Sequence, residues 1–229
     1  MKKLILLLFI PLVFTCSSDS SDDNTDDTVP VDDTNPVYLD ANGVTIKARD
    51  WAVPGDAGII NGITYTIVNR ETLVNMIANQ EDLSRICTTR IIDMGSMNSS
   101  STGTGIGLSD VSSWDVSNVN NMNYLFANSS NESDLSNWDV SNVEGMRYLF
   151  ANSGFAGNLS NWKLNPDVGV SMMFSNPYVD NDFTGLGIDS WDVSEVKYFG
   201  SMMQESNFNA DISNWDTSGA THMVAMFFD

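Results

Sequence analysis

Carboxylates that recur at a fixed place in a repeated phrase are the residues of this chain best suited to chemistry. Four aspartates each follow a tryptophan directly: Asp115, Asp139, Asp192 and Asp216. On adjacent parallel strands such residues form a row with a spacing of about 4.8 Å. One hypothesis is that this row binds a divalent cation or a basic partner surface. The other, which we favour, is that each aspartate caps a turn, so that neither a metal nor a cofactor is expected.

Polar residues also precede the tryptophans, and the two columns together form the candidate binding surface. The residues on either side of a tryptophan share the outward face of a strand, because successive side chains alternate between its faces. Lys163 replaces aspartate in the middle of the series and relieves part of the repulsion along the row. The surface consists of Asn137, Asn161, Asn214, Asp115, Asp139, Lys163, Asp192 and Asp216.

The sequence contains no recognisable catalytic constellation. His222 is the single histidine, and no cysteine stands near it in the sequence. No serine lies in a G-x-S-x-G motif, and no glycine-rich phosphate-binding or dinucleotide-binding motif is present. Carboxylate pairs are so frequent that they do not indicate a glycosidase. We therefore expect a protein that is not an enzyme.

The charge of the chain is strongly acidic, with 30 Asp and Glu residues against 10 Lys and Arg residues and a net charge of −20. A surface of this sign repels phosphates instead of releasing their counterions, so nucleic acid is excluded as a partner. The charge also predicts a well-solvated protein.

The elements that position these residues follow a fixed period. The tryptophans at 114, 138, 162, 191 and 215 are separated by 24, 24, 29 and 24 residues, which predicts a stack of repeated units. Taking each tryptophan as position 0, position −3 is always aliphatic, and position +2 is aliphatic in all repeats except the last, where it is Thr217. Apolar residues at +5, +8, +11 and +12 form a helical stripe. Each coil is thus predicted to be a short strand, a turn, a short helix and a return loop.

The tryptophans and the large apolar residues are predicted to be core and not an exposed sugar-binding platform. Positions 0 and +2 share the inward face of a strand, and one coil cannot bury these side chains without its neighbours. The predicted repeat core contains Trp114, Trp138, Trp162, Trp191, Trp215, Met122, Met146, Phe126, Phe150, Phe174 and Phe227.

The phrase W-D-V-S-N-V-x-x-M-x-x-L/M-F, seen from Trp138 to Phe150, resembles the BspA-like leucine-rich-repeat surface proteins of Bacteroidota and mycoplasmas. The resemblance covers residues 83–229, because a degenerate first coil without tryptophan begins at Leu83. It implies an α/β fold, a right-handed leucine-rich-repeat-like solenoid of six coils. Val143 stands where standard leucine-rich repeats carry asparagine, so the curvature is left open.

Residues 37–82 are predicted to form a small N-terminal module that caps the stack. Residues 59–68 read as a β-hairpin, because Asn61-Gly62 suits the positive φ angles of a type I′ turn. Residues 71–79 read as a helix that Asn69 can cap.

The N-terminus resembles a bacterial lipoprotein signal. Lys2 and Lys3 precede an apolar run of 11 residues, which is too short to span a bilayer, and Cys16 follows. The resemblance implies a signal peptide at 1–15 and an acylated Cys16; the alternative is an ordinary secretory signal. Residues 16–36 read as a disordered acidic tether, not as a calcium-binding loop. Their Ser/Asp tract resembles the surface-export signal of Bacteroidota lipoproteins, which implies a lipid-anchored location on the outside of the outer membrane.

We therefore expect a non-enzymatic surface lipoprotein whose repeats mediate adhesion, with a membrane partner through the lipid and an extracellular protein or glycan ligand. The alternatives are an accessory glycan-binding lipoprotein and, less favoured, a hydrolase. The last coil stops at Phe227-Phe228-Asp229 without a polar cap. Two readings of this end stand: the chain is truncated, or the end self-associates with another chain.

Overall fold

The computed structural model describes residues 33–97 and 106–228 of the chain. The predicted signal peptide, Cys16 and most of the predicted tether lie outside these residues. Six elements precede the tryptophan repeats: β1 (Val37–Leu39), β2 (Ile46–Ala48), β3 (Ala57–Ile60), β4 (Ile63–Ile67), α1 (Arg70–Ala78) and β5 (Ile86–Cys87). Strands β1 and β2 pair antiparallel, and β4 pairs antiparallel with β3 and parallel with β5. The first repeat thereby continues the sheet of the N-terminal module.

Local sequence explains the two main elements of this module. Asn61 and Gly62 adopt φ angles of 51° and 80° between the paired residues Ile60 and Ile63, which is the two-residue connection that Asn-Gly favours. The side chain of Asn69 accepts a hydrogen bond of 2.9 Å from the backbone N–H of Thr72 and caps α1. The hairpin and the helix thus form where the sequence indicates them.

The tryptophan phrase forms a turn in each coil instead of the predicted strand. In the third coil, the Trp138 backbone N–H donates to the Leu135 carbonyl oxygen at 2.9 Å, three residues earlier. Leu135, Trp138 and Val140 are all buried. A strand alternates its side chains with a period of 2 and cannot bury position −3 together with positions 0 and +2. A turn brings all three positions to the core, which explains the difference.

The helical stripe at +8 to +12 likewise forms turns, and the described residues 106–228 contain no α-helix. Position +10 lies in the left-handed region in every tryptophan coil, with φ angles of 64° at Tyr124 and 56° at Tyr148. A right-handed helix cannot include such a residue. The Leu125 N–H bonds to Met122 within its own coil, while the Phe126 N–H bonds to Leu149 in the next. The apolar residues face the core without helical geometry. The one helical turn in this region is a short 3-10 helix, Ile188–Ser190.

Successive coils lie in parallel register through their backbones. Between the second and third coils, alternate N–H groups of Met122, Tyr124, Phe126 and Asn128 each donate to a carbonyl of the next coil at 2.7 to 3.0 Å. Parallel bridges also connect Asp93, Asn121, Gly145 and Gly169 in sequence. Equivalent positions of neighbouring repeats therefore sit directly beside one another.

The tryptophans form a second ladder inside the core. Each indole N–H donates to the carbonyl oxygen of position −3 in the preceding coil, at distances from 2.7 to 3.2 Å. The rings of Trp114 and Trp138 are stacked with centroids 6.1 Å apart, and those of Trp162 and Trp191 are 5.8 Å apart. The indole contributes apolar area and satisfies its one polar atom at the same time.

Most of the predicted repeat core is buried, and two of its residues are not. Trp114, Trp138, Trp162, Trp191, Met122, Met146, Phe126, Phe150 and Phe174 are all at most 3% exposed. Trp215 is half-buried, and Phe227 is 61% exposed, contrary to its predicted place in the core. Both belong to the last coil, and among the described residues no further coil packs on it.

We expect Trp138→Phe to lower the free energy of unfolding more than Trp215→Phe does. The lost indole hydrogen bond costs about 0.5–1.5 kcal/mol, and the smaller ring leaves a cavity in the buried site. Trp215 makes the same bond in a half-buried setting, which makes it a matched control. Urea unfolding followed by circular dichroism measures both variants. Equal losses would contradict the role given to the buried ladder.

Candidate binding surface

The aspartates after the tryptophans accept hydrogen bonds from the serine two residues further on. The Asp139 Oδ1 atom accepts from the Ser141 N–H at 3.1 Å and from its hydroxyl at 2.6 Å. Asp192 Oδ1 makes the same pair of bonds with Ser194, at 3.1 and 2.7 Å. These are Asx turns. One oxygen of each carboxylate is therefore fixed by the turn, which sets the orientation of the other.

Hydrogen bonds of this kind favour the ionised form of Asp192 and Asp216. The Ser194 hydroxyl, followed by its backbone N–H, holds the pKa of Asp192 below its usual value. The backbone N–H of Ser218, followed by its side chain, lowers the pKa of Asp216 in the same way. Bonds that favour the charged form always act in this direction. Asp192 and Asp216 therefore present negative charges and not proton donors.

A second row of Asx turns lies four residues before the tryptophans. Here the acceptor again takes a hydrogen bond from the backbone N–H two residues later, in coil after coil. The acceptors are Asp110, Asp134, Asn158 and Asp211. Within the third coil, the Ser136 side chain is the main cause of the lowered pKa of Asp134. The frequent Asp-x-Ser pattern of the sequence is thus a turn signal in both rows.

Asp115 does not lie on the exposed surface, which corrects its predicted place in the binding row. It is 2% exposed, and its Oδ2 atom accepts a hydrogen bond of 2.6 Å from the Thr89 hydroxyl. Strand β2 covers this rung, because the Ile46 N–H donates to the Ser113 carbonyl at 2.9 Å. No local feature of the sequence indicates that β2 packs on the first tryptophan coil.

The remaining residues of the predicted surface line the outside of the stack. Asn137 is half-buried, and the exposed ones are Asp139, Asn161, Lys163, Asp192, Asn214 and Asp216. Among these, Lys163 and Asp192 are joined by a parallel backbone bridge between the fourth and fifth coils. The positive charge of Lys163 therefore lies directly beside Asp192 in the row.

Glu195 is a further polar residue of this surface, and it is not among the positions directly before and after the tryptophans. Together with Lys163 and Asp192 it lines a hollow of about 240 Å³ between the fourth and fifth coils. The sequence does carry a signal, since position +4 is asparagine in the second and third coils, at Asn118 and Asn142. Glu195 replaces that asparagine in the fifth coil, and this change could have identified it as a candidate.

Two other reactive side chains, those of Cys87 and His222, lie in structural surroundings. Cys87 is buried, and burial raises the pKa of its thiol. The Nδ1 atom of His222 lies 2.9 Å from the Thr221 hydroxyl on an exposed edge. Within residues 33–97 and 106–228, no three His, Cys, Asp or Glu side chains are grouped so that they could hold a metal ion. The same residues include no helix with the length and apolarity needed to cross a membrane.

Comparison with known proteins gives one match. A family model described as "Mycoplasma protein of unknown function, DUF285" matches residues 69–184 and again residues 178–229. No curated protein and no solved structure matches the chain. The two matched segments span α1 and all the repeats.

We expect Ser194→Ala to lower the urea midpoint at pH 7 and to lose this effect in acid. The pKa of Asp192 is lower in the folded state than the usual value of about 3.9. Stability from the hydroxyl bond is therefore present above that value and disappears as the pH falls through the folded-state pKa.

Ser160→Ala is the matched control for this experiment. Ser160 occupies the equivalent site of a turn whose acceptor is the neutral Asn158. Its effect on the urea midpoint should not change with pH. A Ser194→Ala effect of constant size from about pH 7 to pH 2.5 would contradict the assignment of the Asp192 turn.

Proposed function

The chain belongs to the DUF285 family, whose function is unknown, and from the chain's own repeats and N-terminus we propose that it is a non-enzymatic, cell-surface lipoprotein whose stacked repeats mediate adhesion. Within this family we place it among the BspA-like repeat proteins, because it carries their W-D-V-S-N-V phrase at a regular period. The fold we propose is the right-handed, leucine-rich-repeat-like solenoid, supported by the parallel register between successive coils.

The observation that carries the proposal is the row of pre-oriented carboxylates on the outside of the stack. Asp139, Asp192 and Asp216 each have one oxygen held by an Asx turn. A group that is already fixed loses little conformational entropy when it binds, so a rigid row of charges suits recognition of a macromolecule. A basic or polar surface that repeats at a similar spacing is the complementary partner.

The lowered pKa values of Asp192 and Asp216 argue against a hydrolase that uses either of them as its general acid. A general acid at neutral pH needs a carboxyl group whose pKa is raised, usually by burial or by a second carboxylate. The hydrogen bonds at Asp192 and Asp216 act in the opposite direction on exposed groups. Charge display is the better use of these side chains.

The proposed location rests on the first 16 residues. Lys2 and Lys3, the apolar run and Cys16 support export and acylation, and the acidic tract after Cys16 supports display on the outside of the outer membrane. A lipid at Cys16 would place the repeats at the end of a tether. Such a position suits contact with other cells or with extracellular proteins and glycans.

We expect cells that display the full chain to bind immobilised extracellular-matrix proteins, and the triple variant Asp139→Asn/Asp192→Asn/Asp216→Asn to lose most of this binding. Asparagine keeps the Asx turn and removes the charge. The matched control is Asp110→Asn/Asp134→Asn/Asp211→Asn, which makes the same change in the other row of turns. Cell attachment in a flow chamber measures both.

Cys16→Ala serves as the control for display, since a chain without the acylated cysteine should be released and should not support attachment. Equal loss in the two triple variants would show a general effect of charge and would contradict a specific binding row. Attachment that is independent of the protein would refute adhesion altogether.

A further inference from the structure

The junction between the fourth and fifth coils departs from every other junction in the stack. At position +8 the N–H groups of Met122, Met146 and Phe199 each donate to the next coil. Within the described chain, the Val170 N–H makes no such bond to the fifth coil. The N–H groups of Met172, Phe174 and Asn176 still donate to the fifth coil, so this junction lacks one bond of the backbone ladder and keeps the three that follow.

The side-chain ladder at position +4 is interrupted here as well. The side-chain amides of Asn118 and Asn142 donate to carbonyls of their preceding coils at 3.0 and 2.8 Å. Glu195 stands at this position in the fifth coil and cannot donate to the fourth coil. The ion pair of Lys197 and Asp167 spans the junction at 2.6 Å. The fourth and fifth coils therefore lack two of the bonds found between the second and third coils, one from the backbone and one from a side chain.

A hollow at this junction is lined by side chains of opposite charge. Its volume is about 240 Å³, and its walls are Lys163, Asp192 and Glu195 over the aliphatic side chains of Leu164 and Val196. Among the described residues Lys163 forms no ion pair. Asp192 uses only Oδ1 in its turn, so Oδ2 is left for another partner. The hollow thus offers a ligand three hydrogen-bond donors from Lys163 and several acceptor oxygens.

We propose that this hollow between the fourth and fifth coils binds a single uncharged sugar ring of a glycan. A sugar presents hydroxyls that donate and accept, together with a face of C–H groups. The carboxylates suit the hydroxyl donors and the ammonium suits the hydroxyl acceptors. Leu164, which is 9% exposed, offers a small apolar contact, whereas Val196 is 1% exposed and belongs to the core. The volume is below the roughly 300–1,000 Å³ of sites for drug-sized ligands, which fits one ring.

Other ligand classes fit this hollow less well. An anion would meet two carboxylates and a chain with a net charge of −20. A divalent cation would meet the Lys163 ammonium, and the described residues offer it no group of three ligands. An extended peptide adds to a free strand edge, whereas most backbone groups along this face bond to neighbouring coils. A neutral polyol satisfies all the groups present.

The inference rests on the proposed binding function and names the ligand class at one part of the same surface. Saturation-transfer NMR on the purified full chain tests it with four probes: glucose, galactose, mannose and N-acetylglucosamine. At least one probe should bind. Lys163→Ala and Asp192→Asn should each weaken that binding at least about tenfold, as expected for loss of a charge-assisted hydrogen bond.

Asp211→Asn is the matched control, because Asp211 forms an Asx turn in the last coil outside both the hollow and the proposed binding row. Its affinity for the sugar should equal that of the wild-type chain. Melting curves show whether each variant remains folded, and Glu195→Gln provides a second change inside the hollow that should also weaken binding.

The inference is overturned if no probe binds, if a trilysine peptide binds in their place, or if Asp211→Asn weakens sugar binding as much as Asp192→Asn. Cell attachment separates this failure from failure of the proposed function. A chain that binds no sugar but still supports attachment contradicts the inference alone, and a chain that does neither contradicts both.

Discussion

A carbonyl oxygen shared between two tryptophans is the interaction on which the rest of the structure depends. The Leu135 carbonyl accepts the backbone N–H of Trp138 at 2.9 Å and the indole N–H of Trp162 at 2.8 Å. The first bond closes a turn within one coil, and the second joins that coil to the next. Since the rings are also buried, the same residue supplies apolar area, local geometry and register. A coil without its neighbour would lose all three, so the stability of the stack is expected to be a sum over neighbouring pairs.

The outer surface follows from this inner constraint. Turns at fixed intervals put Asp-x-Ser segments at the same place in each coil, and each aspartate then satisfies a backbone N–H of its own turn. The carboxylates are thus structural first, and their outward oxygens become available for binding without further cost in side-chain entropy. Function and folding use different atoms of the same side chain. Where the phrase changes at Glu195, one backbone bond and one side-chain bond between the fourth and fifth coils are absent, and Glu195 lines a hollow.

Some of these features can be predicted from the sequence, because they depend on local chemistry or on apolar periodicity. The Asn61-Gly62 hairpin and the Asn69 cap depend on local chemistry, and both form. The core positions of the repeat can be predicted from their apolar side chains, independently of the backbone conformation. The backbone itself was harder to predict, because positions −3, 0 and +2 fit a strand motif by spacing while their common burial requires a turn. Left-handed residues such as Tyr148 carry no signal in their side chains. Asp115 is covered through β2, a contact between distant segments that no periodicity reveals.

Hydrogen exchange of the six indole N–H groups, followed by NMR, tests the central claim most directly. We expect strong protection for Trp114, Trp138, Trp162 and Trp191, whose buried indoles donate to the preceding coil. Half-buried Trp215 should exchange faster, and Trp51, which is 53% exposed in the N-terminal module, should exchange fastest. Rapid exchange of all six indoles, or protection of Trp51 equal to that of Trp138, would contradict the tryptophan ladder as the basis of the stack.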